Sequence, residues 1–221
     1  MHVLFVTTSC NSLAPGHPTG LWLEELAAPY IAVTGAGVHV TVASPAGGAV
    51  PIDPDTEPDE KERETWAPAL RALASSETLS SVQGRTFDGL FLPGCHGPMV
   101  DLLENAVLHA LVARLDEAAK PIAAVCHGPA GLVRATRADG RPFLQGRRAT
   151  GFTNTEERLA GLHGVVPFLL EDAMKAAGAD FHSALLPSLS HVERDGNLLT
   201  GRNPRSSAAL AEQLVDALVR R

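Results

Sequence analysis

One short segment of the chain combines a reactive side chain with a backbone pattern that could activate it. Cys126 and His127 directly follow the apolar run 122–125 and directly precede Gly128-Pro129. The run has the length and composition of a strand buried on both faces, and a proline suits the first position of a helix. We therefore predict a strand-to-helix elbow with Cys126 at its apex, in a strained backbone conformation and with an exposed side chain.

The predicted elbow favours a thiolate, because the backbone amides of the following helix lie beneath the cysteine. A thiolate can attack a carbonyl carbon when an acid/base group and an oxyanion site are close. The alternative interpretation is a buried, inert cysteine that happens to end a strand, because free cysteine is commonly buried. The flanking His127-Gly128-Pro129 favours the reactive interpretation.

Acid/base groups for this chemistry occur elsewhere in the sequence. Adjacent side chains diverge at an elbow, so we expect His127 to be a proton shuttle beside the substrate rather than a base bonded to the sulfur. Glu157 could fix the tautomer of that imidazole, as the acidic member of a triad does. Glu25, in the first predicted helix, could reach Cys126 and hold or move a proton, although the alternative for a helical glutamate is a solvated residue.

A second elbow-like loop, Pro93-Gly94-Cys95-His96, follows another predicted strand. The backbone amides of Cys95 and His127 could bind a developing oxyanion, and a well-placed donor contributes about 3 kcal/mol. His96 has two interpretations: a histidine that faces substrate or a metal, or a structural histidine with satisfied hydrogen bonds. Both loops would lie at the carboxyl ends of strands, where functional loops gather.

Composition excludes several function classes. The chain has 221 residues, 45% hydrophobic and 19% charged, which fits one domain over 1–221, with a charged loop and helix insertion near 50–80. A net charge of −7 disfavours a nucleic-acid surface, and no apolar run is long enough to cross a membrane. The three cysteines lack the spacing of a disulfide framework or a zinc site. The start lacks the features of a signal peptide, which indicates the cytoplasm.

Strands and helices alternate along the sequence. Strands are predicted at 3–7, 38–43, 87–92, 122–125, 148–152, 181–185 and 198–200, and helices at 20–34, 99–118 and 167–177, with a last helix that opens at Asn203-Pro204. Thr19 is predicted to cap the first helix, and Leu210, Leu214 and Leu218 to form a buried stripe on the last. We find no internal repeat. This alternation predicts an α/β fold with a mostly parallel central sheet.

Several of these motifs, in this order and spacing, resemble the DJ-1/PfpI superfamily. The resemblance rests on Ala124-Val125-Cys126-His127-Gly128-Pro129-Ala130, Thr19-Gly20 followed by Glu25 and Pro29, Pro93-Gly94-x-His96-Gly97, Gly151-Phe152-Thr153-Asn154-x-Glu156-Glu157, Pro167-Phe168-Leu169-Leu170-Glu171-Asp172 and Leu199-Thr200-Gly201-x-Asn203-Pro204. More narrowly, the chain resembles the Hsp31-like, glyoxalase III-type branch, which is related to class I glutamine amidotransferases.

The resemblance implies a flavodoxin-like three-layer sandwich and a homodimer. It matches Cys126 to the nucleophile, His127 to the histidine, Glu157 to its acidic partner and Glu25 to the glutamate that contacts the cysteine. The implied activity is the glutathione-independent conversion of methylglyoxal to lactate, a lyase reaction on a small 2-oxoaldehyde that needs no cofactor. Such a small substrate suits a site that we expect to be crowded by His96 and Trp22.

One residue departs from the family pattern. The usual Pro-Gly-Gly before the histidine is here Pro93-Gly94-Cys95, so a side chain occupies a position that normally carries only hydrogen. This substitution puts the oxyanion geometry in question. Our hypothesis is a reversible disulfide between Cys95 and Cys126, since a second thiol near a reactive one is typical of redox sensors. The alternative is that Cys95 only packs.

Two rival functions remain open at this point. An amidase or peptidase-like hydrolase, or a deglycase, would use the same thiolate and oxyanion site. A redox-sensing chaperone would have Cys126 oxidised rather than catalytic. No metal site is predicted, although His17, His96 and Glu25 could approach one another above the sheet without any diagnostic spacing.

Overall fold

A computed structural model describes residues 1–187 and 189–219. The strands are β1 His2–Val6, β2 Ser12–Ala14, β3 His17–Pro18, β4 His39–Ser44, β5 Glu77–Thr78, β6 Gly89–Leu92, β7 Ile122–Val125, β8 Arg148–Ala149, β9 Asp180–Phe181, β10 Val192–Asp195 and β11 Leu198–Gly201. The helices are α1 Leu23–Gly35, α2 Glu60–Thr65, α3 Ala67–Leu73, α4 Leu79–Val82, α5 Pro98–Asp101, α6 Ala106–Glu117, α7 Ala130–Val133, α8 Asn154–Leu159, α9 Leu170–Ala176 and α10 Ser207–Val219. Short 3-10 turns cover Pro54–Thr56 and Pro204–Ser206.

Seven strands form the central sheet, in the order β10-β11-β7-β6-β1-β4-β5. Every neighbouring pair is parallel except β10 and β11. The central strands β6 and β7 are buried along their whole length, which explains their continuous apolar sequences. Two smaller pairs lie outside this sheet, the hairpin β2–β3 and the parallel pair β8–β9. The predicted mostly parallel α/β sheet is confirmed.

Helices cover both faces of the sheet and make a three-layer sandwich. On one face α1, α3 and α10 pack their leucines against Phe5 and Phe91, and on the other α6, α7 and α9 pack against Leu4 and Leu90. The predicted stripe of α10 lies within the first of these cores. The charged segment before α2 starts its helix with a capping box, in which Asp59 and Glu62 satisfy each other's backbone N–H groups. None of the helices in the described part of the chain has the length and apolarity needed to span a membrane.

Several predicted element boundaries are wrong. The first helix begins at Leu23 rather than at residue 20, and its N-cap residue Trp22 makes no side-chain cap, whereas Thr19 bonds Asp53 instead. The predicted helix 99–118 is two helices, because Asn105 caps a new start. The strands predicted at 148–152 and 181–185 contain only two residues each, the helix predicted from 167 begins at Leu170, and β10 was not predicted.

Candidate active site

The two predicted elbows lie side by side. Strands β6 and β7 are parallel neighbours, with Leu92 opposite Ala124, so the loops that follow them leave the same edge of the sheet. Cys126 has φ +58° and Cys95 has φ +69°, a left-handed conformation that costs a non-glycine residue about 1 to 2 kcal/mol. The predicted strained elbow at Cys126 is therefore present, and the Cys95 loop shares its strain.

The packing around Cys126 explains the glycine that follows its histidine. A Cβ atom on Gly128 would collide with the carbonyl oxygen of Leu92, so only glycine allows the elbow to pack against β6. The Cys126 backbone N–H donates to the Gly201 carbonyl, and its own carbonyl accepts from Phe152 N–H, both at 3.0 Å. These contacts hold the thiol at a fixed position.

The environment of the Cys126 thiol differs from the predicted one in two respects. The residue is only 3% exposed, so the predicted exposed side chain is wrong. Burial, and then the nearby Glu25 carboxyl group, raise the pKa of Cys126 well above its usual range, so the predicted resting thiolate is wrong as well. A hydrogen bond from the backbone N–H of Cys95 opposes this shift. The nucleophile is thus a buried thiol that needs a proton acceptor when it reacts.

Glu25 is a second titratable group beside this thiol. It is fully buried on the first turn of α1, where its Oε2 accepts the Gly94 backbone N–H at 2.8 Å. Burial raises its pKa to about 8, against the opposing effect of hydrogen bonds with Cys126 and Gly94. Glu25 is therefore protonated at neutral pH and lies beside the sulfur, as the sequence predicts, rather than in solvent.

His127 and Glu157 form a hydrogen-bonded pair next to the thiol. Burial alone would raise the pKa of Glu157, but bonds from His127 and His96 outweigh it and lower the pKa to about 2. Burial, and then the nearby His96, lower the pKa of His127 to about 4. An ionised carboxylate only accepts, so the neutral His127 ring donates its Nε2–H to Glu157 Oε2 at 2.8 Å.

This tautomer leaves His127 Nδ1 unprotonated, 3.4 Å from Cys126 Sγ. The expectation that the two side chains diverge is therefore wrong: the imidazole can accept the thiol proton directly. Glu157 is also shared, because its Oε1 accepts from His96 Nε2 at 2.9 Å, and the two imidazole rings lie 4.2 Å apart. The structure brings together all four residues that the sequence analysis assigned to catalysis: Cys126, His127, Glu25 and Glu157.

Glu157 is positioned by a network that the sequence analysis did not identify. Its helix α8 starts with a capping box between Thr153 and Glu156. Glu156 also accepts from Arg202 Nε at 2.9 Å and from Asn203 Nδ2 at 2.8 Å, and all three residues are buried. The quoted motifs contain Glu156 and Asn203, but they did not reveal that the two segments pair, because Glu156 lies 46 residues away from Arg202.

The backbone N–H of Cys95 bonds to Cys126, whereas the Cys95 side chain points to a different partner. The Cys95 thiol donates to Asp53 Oδ2 at 3.0 Å, and Thr19 Oγ1 reaches the same oxygen at 3.3 Å. Gly94 must be glycine, because a Cβ there would lie 2.6 Å from His127 N and from Val125 O. Both cysteines are free thiols. No sequence pattern had pointed to Asp53.

Among the residues that the structure describes, one group could hold a metal ion. The ligand atoms of His96, His127 and Glu157 all lie within 4.8 Å of one another. This group differs from the His17, His96 and Glu25 group considered from sequence. Both imidazole Nε2–H groups already donate to the carboxylate, so a bound ion would have to displace two protons.

The site opens into a cavity of about 640 Å³. Cys126, His127, Cys95 and His96 lie in its wall, together with Trp22, which the sequence analysis placed beside the substrate. Asp53, Phe152 and Leu162 are further wall residues. The arrangement can therefore present a thiol and a neutral imidazole to a carbonyl substrate in the cavity, whereas the protonated Glu25 carboxyl group lies beside the thiol and is not among the wall residues.

Comparisons with known proteins agree with this geometry. The family model described as DJ-1/PfpI family matches residues 21–217. Glutathione-independent glyoxalase HSP31 of Saccharomyces cerevisiae is 27% identical, with 98% of this chain and 97% of that protein covered. Glutamine amidotransferase-like class 1 domain-containing protein 1 of Bos taurus is 30% identical, with 94% and 92% covered.

A solved structure supports the fold. Glyoxalase III from Candida albicans superposes with a TM-score of 0.90 at 23% identity, and the match covers 100% of this chain and 98% of that one. The family match spans most of the residues that carry the fold and all four candidate catalytic residues. The chain therefore belongs to the DJ-1/PfpI family, within which it is similar to glutathione-independent glyoxalases.

Proposed function

We propose that this chain is an enzyme that converts methylglyoxal to lactate without glutathione, with Cys126 as the nucleophile. The observation that carries the proposal is the position of the Cys126 thiol between two groups that can exchange protons, His127 Nδ1 at 3.4 Å and the buried Glu25 carboxyl group. The names of the yeast and Candida albicans relatives support the same activity.

The first step joins enzyme and substrate. His127 Nδ1 accepts the thiol proton while the sulfur attacks the aldehyde carbon, and a hemithioacetal forms. Glu157 stabilises the imidazolium that results, because its carboxylate already accepts the Nε2–H. The backbone N–H groups of Cys95 and His127 stabilise the oxyanion.

The second step moves hydrogen between the two substrate carbons. The His127 imidazolium first returns its proton to the hemithioacetal oxyanion, so that Nδ1 is again a base. Nδ1 then removes the proton from the former aldehyde carbon while the protonated Glu25 carboxyl group donates its proton to the ketone oxygen, and an enediol forms. His127 returns its proton to the former ketone carbon, and the Glu25 carboxylate takes the hydroxyl proton from the sulfur-bearing carbon, which gives a lactoyl thioester. Water then hydrolyses the thioester and restores the Cys126 thiol. Read backwards, the net reaction removes water from lactate, which is why we assign the enzyme to the lyases.

The test is turnover of methylglyoxal by metal-free, glutathione-free protein, with lactate detected directly. We expect robust turnover by the wild type and its loss in Cys126→Ala and Glu25→Gln. Turnover that survives in Cys126→Ala would contradict the proposal. A wild type that leaves methylglyoxal unchanged but hydrolyses amides or removes glycation adducts would support the hydrolase or deglycase instead. Suppression of aggregation that persists in Cys126→Ala would support a chaperone.

We also propose a homodimer, as the family resemblance implies. Leu185, Leu186 and Leu189 are exposed in the loop before β10, and an apolar segment of this kind favours an interface. Sedimentation should give a dimer for the wild type and a shift towards monomer for Leu186→Glu. A wild type that sediments as a monomer would contradict this proposal.

A further inference from the structure

The cavity is far larger than methylglyoxal requires. Its volume of about 640 Å³ lies within the range of pockets that hold drug-sized molecules, about 300 to 1,000 Å³. A three-carbon substrate bonded to Cys126 would fill only a small part of it. The crowded site expected from sequence is therefore not what the structure contains.

The cavity wall combines polar and apolar side chains. Cys126, His127, His96 and Cys95 line it, as do the charged residues Asp53, Asp55 and Arg205. A second, apolar group of wall residues offers a surface for a hydrophobic substituent. These residues are Leu13, Trp22, Pro54, Phe152, Leu162 and Pro187.

Two aromatic residues of the apolar group lie close to the segments that carry the catalytic residues. The Phe152 ring lies 4.6 Å from the His127 ring, and the Phe152 backbone N–H donates to the Cys126 carbonyl. Trp22 directly precedes α1, the helix that carries Glu25. Both aromatic side chains are partly exposed and line the cavity, where they can contact a ligand. A planar ring fits such a wall.

We propose that the preferred substrates are 2-oxoaldehydes whose ketone carbon carries an apolar, ring-sized group rather than a methyl group. The dicarbonyl end lies at Cys126, and the ring lies against Trp22, Phe152 and Leu162. This inference rests on the proposed glyoxalase function and specifies its substrate class. No group beyond those of the methylglyoxal reaction is required, because the ring does not take part in the chemistry.

The size of the expected preference for an aromatic 2-oxoaldehyde follows from the burial of its ring. Each methylene group accommodated in an apolar pocket changes specificity by about tenfold or more. Phenylglyoxal presents a full ring to the apolar wall where methylglyoxal presents one methyl group. We expect kcat/KM for phenylglyoxal, measured as mandelate formation, to exceed that for methylglyoxal, measured as lactate formation, by at least about tenfold.

Variants separate pocket recognition from the intrinsic reactivity of the two substrates. Leu162→Ala and Trp22→Ala should lower the phenylglyoxal to methylglyoxal ratio by about fivefold or more. Leu159→Ala is the matched control, since Leu159 lies three residues from Leu162 but is 74% exposed and is not among the cavity residues. It should leave both rates unchanged.

The outcomes distinguish the inference from the function on which it rests. Turnover of methylglyoxal with a ratio at or below one overturns the substrate class and leaves the glyoxalase function intact. A ratio above ten that Leu162→Ala and Trp22→Ala do not lower also overturns it, because the preference would then come from reactivity alone. Folded wild-type protein that turns over neither compound overturns both proposals.

Discussion

The same four residues, Cys-His-Gly-Pro, stand at two neighbouring elbows of this protein, at 95–98 and at 126–129. Both cysteines have positive φ, and both histidines donate Nε2–H to Glu157, one to each oxygen. The two elbows therefore share a backbone conformation, and their histidines share one hydrogen-bond partner, Glu157. The sequence analysis reported no internal repeat and did not identify this one, because four residues are too few to form a structural repeat unit.

The partners of the two thiols differ. Cys126 lies against Glu25, whose buried carboxyl group is protonated, and its Sγ is 3.4 Å from His127 Nδ1. Cys95 donates instead to Asp53, and its Sγ is 3.9 Å from His96 Nδ1. One elbow therefore places its thiol to give up a proton to an imidazole, whereas the other fixes its thiol as a hydrogen-bond donor. The shared tetrapeptide therefore determines the backbone geometry of each elbow. Residues distant in sequence determine the chemistry of each thiol.

The largest expected effect separates the two histidines. His127→Asn should lower kcat/KM by about 10³- to 10⁴-fold, because the general base next to Cys126 is lost. His96→Asn should lower it by less than about tenfold. Steady-state kinetics with methylglyoxal measure both. Equal losses of kcat/KM in the two variants would mean that both histidines contribute equally to catalysis. That result would contradict the distinction drawn between the two elbows.

The second effect concerns the stability of the folded protein and Glu25, whose buried carboxyl group lies at the Cys126 elbow. The pKa of Glu25 is about 8 in the folded protein against an ordinary 4.5, so its contribution to stability is complete below pH 4.5 and is lost as pH rises through 8. Relative to wild type, Glu25→Gln should therefore gain on the order of 4 kcal/mol in unfolding free energy between these limits.

Denaturant unfolding at a series of pH values measures this difference. Glu24→Gln is the control, since Glu24 is the neighbouring glutamate but is exposed, and its pKa is raised mainly by partial desolvation. We expect a smaller pH-dependent gain there. A difference between Glu25→Gln and wild type that does not change with pH would show that Glu25 is ionised in the folded protein.

A third effect tests the carboxylate that both elbows share. Glu157→Gln should lower kcat by about 10²-fold, because an amide cannot stabilise the imidazolium that His127 becomes. The control is Glu193→Gln, which removes the charge from the acceptor of a different histidine, His191, at 2.9 Å, against 2.8 Å between His127 and Glu157. That variant should keep wild-type kcat. An unaffected kcat in Glu157→Gln would exclude the triad.

The smallest expected effect sharpens the role of Cys95. We predict that mild hydrogen peroxide converts the Cys126 thiol to a sulfenic acid and that the Cys95 thiol then displaces water to form a disulfide. We expect partial loss of activity that dithiothreitol reverses, and in Cys95→Ser a loss that it does not reverse. The loss is partial because the Cys95 thiol must first leave Asp53. Peptide mapping that finds only Cys126 sulfinic acid in the wild type would refute the disulfide.

Much of the framework could be predicted from the sequence because it depends on local pattern. The run 122–125 is β7 as predicted, since an apolar segment of that length between turn residues has few other stable structures. The ends of helices and strands were less predictable where a residue suited to a local cap forms a tertiary contact instead. Thr19, a good helix cap, bonds Asp53 instead, and the start of α1 has no side-chain cap.

The sequence by itself determined which residues could react. It placed Cys126 and Cys95 at two elbows, named Glu25, His127 and Glu157 as partners, and showed through the order of its motifs which family the chain resembles. The two elbows follow from residue type, spacing and local backbone preference, whereas the assignment of Glu25 and Glu157 as partners also rests on the family resemblance.

Only the tertiary structure decided how those residues are charged and what surrounds them. The pKa values of Cys126 and Glu25 are raised because the fold removes both from water, and burial is a property of the packed protein rather than of a segment. Asp53 reaches Cys95 across 42 residues, and the cavity walls come from loops that share no local pattern. Long-range packing therefore set the protonation of the site and the size of the substrate that it can hold.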